Sequence, residues 1–240
     1  MIYFLLCAYN EEKNIEYVIN SIRQQIKNYK IVVVNDGSTD NTKYILEKLV
    51  SEDLVVLTHQ KNLGLGFALK TGFEYIIQKL TSQDVVITLD ADNTHPIEIS
   101  NDMIKKFYEG CDVVISSRYC FGGEQLGVIW YRKLLSYIAK LLLKILFPYP
   151  NIKDYTTGYR LYSGKVLILM YEKCKENFIT QKNFVVQLEI LVKILKFKPK
   201  LCEVPLRLHY YKKYGKSKLK IVKNIVSYLN FIIKAKFLNL

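Results

Sequence analysis

Asp90 and Asp92 stand two positions apart directly after the run 85–89, apolar except for Thr88. Two carboxylates so placed repel each other unless a cation lies between them, which makes the pair a candidate ligand set for a divalent metal. Similar polar clusters follow other short apolar runs: Ala8-Tyr9-Asn10-Glu11 after 2–6, Asn35-Asp36-Gly37-Ser38 after 31–34, and Ser116-Ser117-Arg118 after 113–115. Carboxylates, an amide and an arginine on four chain segments suit a site that holds a metal together with a phosphate-bearing ligand. Asp40 reads as a helix N-cap only.

The elements that must bring these clusters together are legible as an alternation. Runs 2–6, 31–34, 54–57, 85–89 and 113–115 are too short for helices and rich in β-branched residues, so they read as buried strands. Between them, 12–26, 41–49, 66–80 and 96–108 carry helical periodicity. Strand and helix in regular alternation predict an α/β fold whose mostly parallel sheet is covered by helices on both faces. Ligands of such sheets bind beyond the carboxyl ends of the strands, where the polar clusters stand.

The chain has 240 residues, enough for one domain with an appendage. Half of the residues are hydrophobic and 24% are charged, which excludes a disordered or collagenous chain. No uncharged apolar run is long enough to span a bilayer. Lys plus Arg exceed Asp plus Glu by 35 to 22, a net charge of +13, which favours phosphate-bearing partners or an anionic membrane surface. The five cysteines are odd in number, widely spaced and free of any CxxC pair, so neither a disulfide framework nor a zinc site is expected, and a reducing compartment fits best. The opening MIYFLLCAY has no basic region before it and no cleavage site after it, so secretion is not expected.

The second half changes character. Residues 130–147 place Leu134, Leu135, Ile138, Leu141, Leu142, Ile145 and Leu146 on one helical face and Arg132, Lys133, Ser136, Lys140 and Lys144 on the other. This basic amphipathic helix fits a membrane surface or an ordinary core with a solvated lysine face, and Pro148 and Pro150 end it. A further helix is expected over 185–195, a strand-like stretch over 201–210, and a second amphipathic helix from Lys218.

Three motif fragments fail. Gly64-Leu65-Gly66 lacks the third glycine of a dinucleotide fingerprint, and Gly215-Lys216-Ser217 lacks the first glycine of a phosphate-binding loop. His59, His95 and His209 lie far apart with no nucleophile elbow near them, although His95-Pro96 can pack at the acidic loop; His59 and His209 receive no role. The interleaved Tyr and Lys of 210–214 could stack on nucleic acid, but a diphosphate site explains them together with the carboxylates, so no nucleic acid is expected.

In order along the chain, CAYNEEKNI, VVVNDGSTDNT, NLGLGFALKTGF, TLDADNTHP, SSRY, YRKLLS, DYTTGYRLY, VQLEI and YGKSKL resemble the motifs of the family 2 glycosyltransferases with a GT-A (Rossmann-like) fold. Within them the chain is most similar to the polyprenyl-phosphate sugar synthases, the dolichol-phosphate mannose synthase type. The resemblance covers nearly the whole chain, with Cys7 where the family usually has proline and Asn35 where it usually has aspartate.

That resemblance implies that Ala8, Tyr9, Glu11 and Asp36 hold the nucleotide, and that Asp90 and Asp92 take Mg²⁺ or Mn²⁺ with the donor diphosphate, Thr94 standing at the third ligand position. It implies that Arg118, Arg132 and Ser136 hold the acceptor's phosphate, while Lys212 and Lys218 stand near the diphosphate. The implied reaction moves a sugar from a GDP- or UDP-sugar to a dolichyl or undecaprenyl phosphate with inversion. Asp92, Arg118 and Arg132 carry its chemistry, because a phosphate acceptor is already an anion and needs no base. A sugar hydroxyl as acceptor would need one, and Asp92 or Glu189 could serve. A non-catalytic membrane or polyanion-binding module is the third reading. The expected organisation is a GT-A domain over 1–217 with an amphipathic helix over 218–240, peripheral at the cytosolic face of a membrane, where a membrane protein partner is possible.

Overall fold

The computed structural model describes residues 1–212 and 221–237, without the side chains of 221–223 and 237. The first half follows the alternation closely. Strands β1 (Ile2–Ala8), β2 (Tyr29–Asn35), β3 (Leu54–Thr58) and β4 (Val85–Asp90) alternate with helices α1 (Ile15–Gln25), α2 (Thr42–Leu49) and α3 (Leu65–Ile77), and α4 (Ile99–Tyr108) leads into β5 (Val113–Ser117). After a short β6 (Glu124–Leu126) and the long α5 (Trp130–Leu146) come β7 (Arg160–Ser163), α6 (Gly164–Cys174), α7 (Val186–Leu195), β8 (Leu201–Pro205), β9 (Arg207–His209) and α8 (Ile221–Phe237).

Seven strands form one sheet in the order β3-β2-β1-β4-β7-β5-β8, and β6 pairs with β9 in a separate ribbon. All neighbours in the large sheet are parallel except β7, which runs antiparallel to both β4 and β5. Both sheet faces are buried, which is why β1 is apolar at consecutive positions. Leu5 packs with Phe73 and Ile76 of α3 on one side, and Phe4 and Leu6 pack with Val18, Ile19 and Ile22 of α1 on the other.

Two expectations are corrected and one gap is filled. The stretch 201–210 is two strands, because Leu206 turns inward between them and only β9 pairs with β6. No element was named from the sequence between 150 and 185, where β7 and α6 lie; β7 is only four residues long and opens on a charged Arg160, so neither its length nor its pattern marks a core strand. Cys111 and Cys202 form a disulfide, although the count and spacing of cysteines speak against one. They lie 91 residues apart, and only the parallel pairing of β5 with β8 brings them together. Cys7, Cys120 and Cys174 are free thiols.

The amphipathic helices behave differently from each other. In α5 only Leu143 is buried, whereas Trp130, Leu134, Leu135, Ile138, Leu142 and Ile145 are exposed. In α8, Phe231 enters the core while Ile225, Val226, Leu229 and Ile233 stay exposed. Among the described residues no helix is long and apolar enough to cross a membrane.

Candidate active site

Parallel register aligns the carboxyl ends of the first four strands: Ala8 lies beside Asn35, and Cys7 beside Asp90. Beyond those ends opens a cleft of about 770 Å³, lined by Ala8, Tyr9, Glu11 and Asp36 from β1 and β2, Asp90, Asp92 and Thr94 from β4, and Arg118 and Arg132 from beyond β5. Nine of the residues named from the sequence therefore share one cavity. Ser136 does not line it, Lys212 lines a smaller recess with Asn93 and His95, and Lys218 lies outside the described residues.

Each wall has a local cause. After β4, Asn93 takes a left-handed conformation (φ 60°), which asparagine tolerates, and turns Thr94 back on Asp92. Thr94 then donates to Asp92 Oδ1 from its hydroxyl (2.6 Å) and its amide (3.2 Å). The Asp90 amide donates to His95 Nδ1 (3.2 Å), and the imidazole stacks on Tyr159 with ring centroids 5.0 Å apart, so His95-Pro96 does pack at the acidic loop. Asp36 accepts from the amides of Leu63 and Gly64 (2.8 Å each) and faces His59 Nδ1 at 2.7 Å. Gly64 meets it only because glycine allows φ 97° with the Lys182 carbonyl against it. His59 thus acquires a role the sequence did not assign: it ties Asp36 to Thr71 through Nε2 (3.0 Å). Glu11 accepts from the Asn14 side chain (2.8 Å), and its backbone amide donates to Thr42 Oγ1 (2.8 Å).

Cys7, in the place of the resemblance's proline, is a neutral thiol, since burial pushes its pKa well up and the charges of Asp90 and Asp36 add to the shift.

On the far wall, Arg118 forms a two-pronged pair with Asp154 (Nε to Oδ2 2.7 Å, Nη2 to Oδ1 2.8 Å) and also donates to Thr156 Oγ1. Burial would raise the Asp154 pKa, but the charge and hydrogen bonds of Arg118 outweigh it and hold the carboxyl below its usual range. Arg132 donates from Nη1 to the Tyr210 hydroxyl (2.7 Å), and its buried Nε has no hydrogen-bond partner among the described residues. Ser136 is hydrogen-bonded to the Tyr119 hydroxyl (2.6 Å). Glu189 is no candidate base. It is wholly buried, accepts from the amides of Thr180 and Gln181 and from the Thr180 hydroxyl, and pairs with Lys193 Nζ at 2.6 Å.

The sequence missed the floor of the cleft: Thr156, Thr157 and Gly158 before β7, and Lys182, Asn183 and Gln187 around the start of α7. DYTTGYRLY and VQLEI contain Thr156, Thr157, Gly158 and Gln187, but none of them received a role, because their meeting at the cleft depends on β7 lying beside β4.

Asp90 and Asp92 offer a metal only hard oxygen donors, as Mg²⁺ and Mn²⁺ prefer. Among the described residues no third His, Cys, Asp or Glu joins them. Such ions commonly take one or two carboxylates and complete their shell with substrate phosphates and water, so the pair fits.

A family model described as Glycosyl transferase family 2 matches residues 3–169. The chain is 35% identical to a dolichol-phosphate mannosyltransferase of Pyrococcus furiosus over 96% of its own length and 62% of that protein's. It is 28% identical to a polyprenol monophosphomannose synthase of Mycolicibacterium smegmatis, over 84% of this chain and 75% of that one. Its fold resembles that of the mannosyltransferase PcManGT of Pyrobaculum calidifontis, solved with GDP-Man and Mn²⁺, with a TM-score of 0.55 at 15% identity over 87% of this chain and 56% of that one.

Proposed function

The chain belongs to glycosyl transferase family 2, and from that premise we propose that it transfers a sugar, with mannose from GDP-mannose the best supported, to the phosphate of a polyprenyl phosphate. The names of the two relatives and of the PcManGT complex support the sugar, the nucleotide and the lipid. One observation carries the acceptor. The acids lining the cleft, Glu11, Asp36, Asp90 and Asp92, all lie on the wall built by β1, β2 and β4, whereas Arg118 and Arg132 face them from the other side. With Glu189 sequestered, the arginine wall holds no carboxylate base among the described residues that line the cleft. That wall suits an acceptor that arrives as an anion and has no proton to lose.

Asp90 and Asp92 would hold Mg²⁺ or Mn²⁺, whose Lewis acidity eases departure of the diphosphate. Thr94, whose hydroxyl is engaged with Asp92, orients that carboxylate. Ala8, Tyr9, Glu11 and Asp36 hold the nucleotide, Asp36 through a geometry fixed by His59, and Lys212 adds positive charge. Arg118 and Arg132 align the acceptor phosphate; Arg118 is pre-set by Asp154, and Ser136 supports the same wall through Tyr119. A phosphate oxygen then bonds to the anomeric carbon as the bond from that carbon to the donor diphosphate breaks. The nucleoside diphosphate leaves and the configuration inverts. Positioning and charge complementarity supply the acceleration.

The exposed apolar face of α5 with Lys133, Lys140 and Lys144 docks on an anionic membrane, at the cytosolic face, and so brings the cleft to the lipid's headgroup. The test is product chemistry. Purified protein, Mn²⁺ and GDP-mannose or UDP-glucose are incubated with dolichyl or undecaprenyl phosphate. A lipid-linked sugar released by mild acid is the expected product. A glycoside stable to alkali, formed only on a sugar hydroxyl, overturns the acceptor.

A further inference from the structure

Gln187 occupies the first turn of α7 and lines the cleft, yet only 5% of it is exposed. Its side-chain Oε1 is buried with no hydrogen-bond partner among the described residues. An orphaned amide oxygen in a folded core costs free energy, and one that lines a cleft can be completed by a group that enters the cleft. Three features show that the position is built. Arg160, wholly buried in β7, donates from Nη1 to the Gln187 carbonyl (2.6 Å) and from Nη2 to that of Tyr155 (2.8 Å), clamping the start of α7 to the cleft floor. Glu189 and Lys193 fasten the preceding loop from behind. Gly158 leaves the side chain its room, because a methyl group there would lie 2.7 Å from Gln187 Nε2 and 3.8 Å from Asp90 Oδ1. The carboxamide and the Asp90 carboxylate therefore both border the space above Gly158 at the cleft floor.

We infer that the Gln187 carboxamide hydrogen-bonds a hydroxyl of the transferred sugar, and so selects the glycosyl group rather than the nucleotide. This rests on the proposed reaction, in which Asp90 serves the diphosphate end of the donor. What adjoins the diphosphate on the side away from Tyr9 and Glu11 is the sugar ring. A carboxamide both donates and accepts, as a hydroxyl does, and a neutral group beside Asp90 avoids adding a third negative charge there.

Gln187→Met tests it, since exchanging an unpartnered buried amide for an apolar side chain of similar shape leaves the free protein as stable or more so. Melting of the variant at or above the wild-type temperature verifies the fold. Calorimetric titration with Mn²⁺ present compares GDP-mannose with GDP. The inference expects the variant to bind GDP-mannose about tenfold more weakly, the loss of roughly one hydrogen bond, and GDP unchanged. It also expects one mono-deoxy GDP-mannose to lose as much affinity in the wild type as the substitution costs, with no further loss in the variant. Equal weakening toward GDP and GDP-mannose, or none toward either, overturns it. If the sugar-dependent difference is present but no polyprenyl phosphate is mannosylated, the acceptor reading falls and the inference stands.

Discussion

Arg118 is spent twice, on the cleft and on Asp154, so its removal affects more than binding. Asp154 is fully buried, and taking away its only ion-pair partner among the described residues leaves a desolvated charge. Arg118→Met is expected to lower unfolding free energy by about 3–5 kcal/mol at neutral pH, measured by urea denaturation, beyond its loss of transfer. The pH dependence has a definite sign. In the wild type the Asp154 carboxyl lies below its ordinary value, so its stabilisation is present above about pH 4 and fades as pH falls through the lowered pKa. In the variant the guanidinium charge is gone and burial is opposed only by the hydrogen bonds from the backbone amide of residue 118, Thr156 and Thr157, so the carboxyl titrates higher than in the wild type and the gap between the two proteins should narrow on acidification toward pH 4. A gap constant from pH 7 to pH 4 would count against the pair. Thr94 permits a second test. If it orients Asp92, Thr94→Ser keeps transfer while Thr94→Val lowers it about tenfold; Asp92→Asn abolishes it in the assay of labelled lipid product. The acidic pair was legible because charge directly after an apolar run is anomalous in a single sequence. The roles of His59, Asp154 and Gln187 were not legible, although DYTTGYRLY and VQLEI contain the latter two, since the partner of His59 lies 23 residues away, that of Asp154 lies 36 away, and Gln187 matters through an absence of partners among the described residues.

The same division holds among the elements. Each element named in the first half of the chain was legible, because an apolar strand and an amphipathic helix each leave a periodic trace over their whole length. The strand β7 was not, because four residues cannot establish a period and its place between β4 and β5 is set by antiparallel pairing rather than by order in the chain. The cleft floor depends on it, so the site was half visible for the same reason. Helix α5 was visible as an amphipathic helix, but the choice between core and membrane was not in its periodicity. The fold leaves nearly all of its apolar residues uncovered: Leu134 is 51% exposed, Leu142 50% and Ile145 75%. Replacing these three by Ser removes little buried area, so the melting temperature should hold or rise. Flotation with vesicles rich in anionic lipid should fall in this variant and also when Lys133, Lys140 and Lys144 are reversed to Glu. Retained flotation in both would remove α5 from the membrane surface.

At the scale of the whole molecule, the sheet joins two unequal parts. Strands β3, β2, β1 and β4 form a parallel block that carries the acidic wall, while β5 and β8 form a second parallel pair, and β7 alone connects the two. The Cys111–Cys202 bond lies within the second part and closes a loop of 91 residues that contains Arg118, Arg132, Asp154 and Gln187. The whole arginine wall and the cleft floor are therefore inside the loop, and Asp90 and Asp92 are outside it. Cross-linking removes conformations from the unfolded chain, and for a loop near this length the chain-entropy relation gives about 4–5 kcal/mol. Thiol titration of the denatured, unreduced protein should find three reactive groups of the five cysteines, matching Cys7, Cys120 and Cys174. Reduction, or the double change to Ser, should lower unfolding free energy by up to that amount while leaving Mn²⁺-dependent binding of GDP nearly unchanged, because the donor wall folds on the other block. Acceptor KM should rise if loosening of the β5–β8 pair reaches Arg118. Titration of five thiols without reductant would show that the two cysteines merely adjoin, and the second block would then owe its hold on the sheet to β7 and its helices alone.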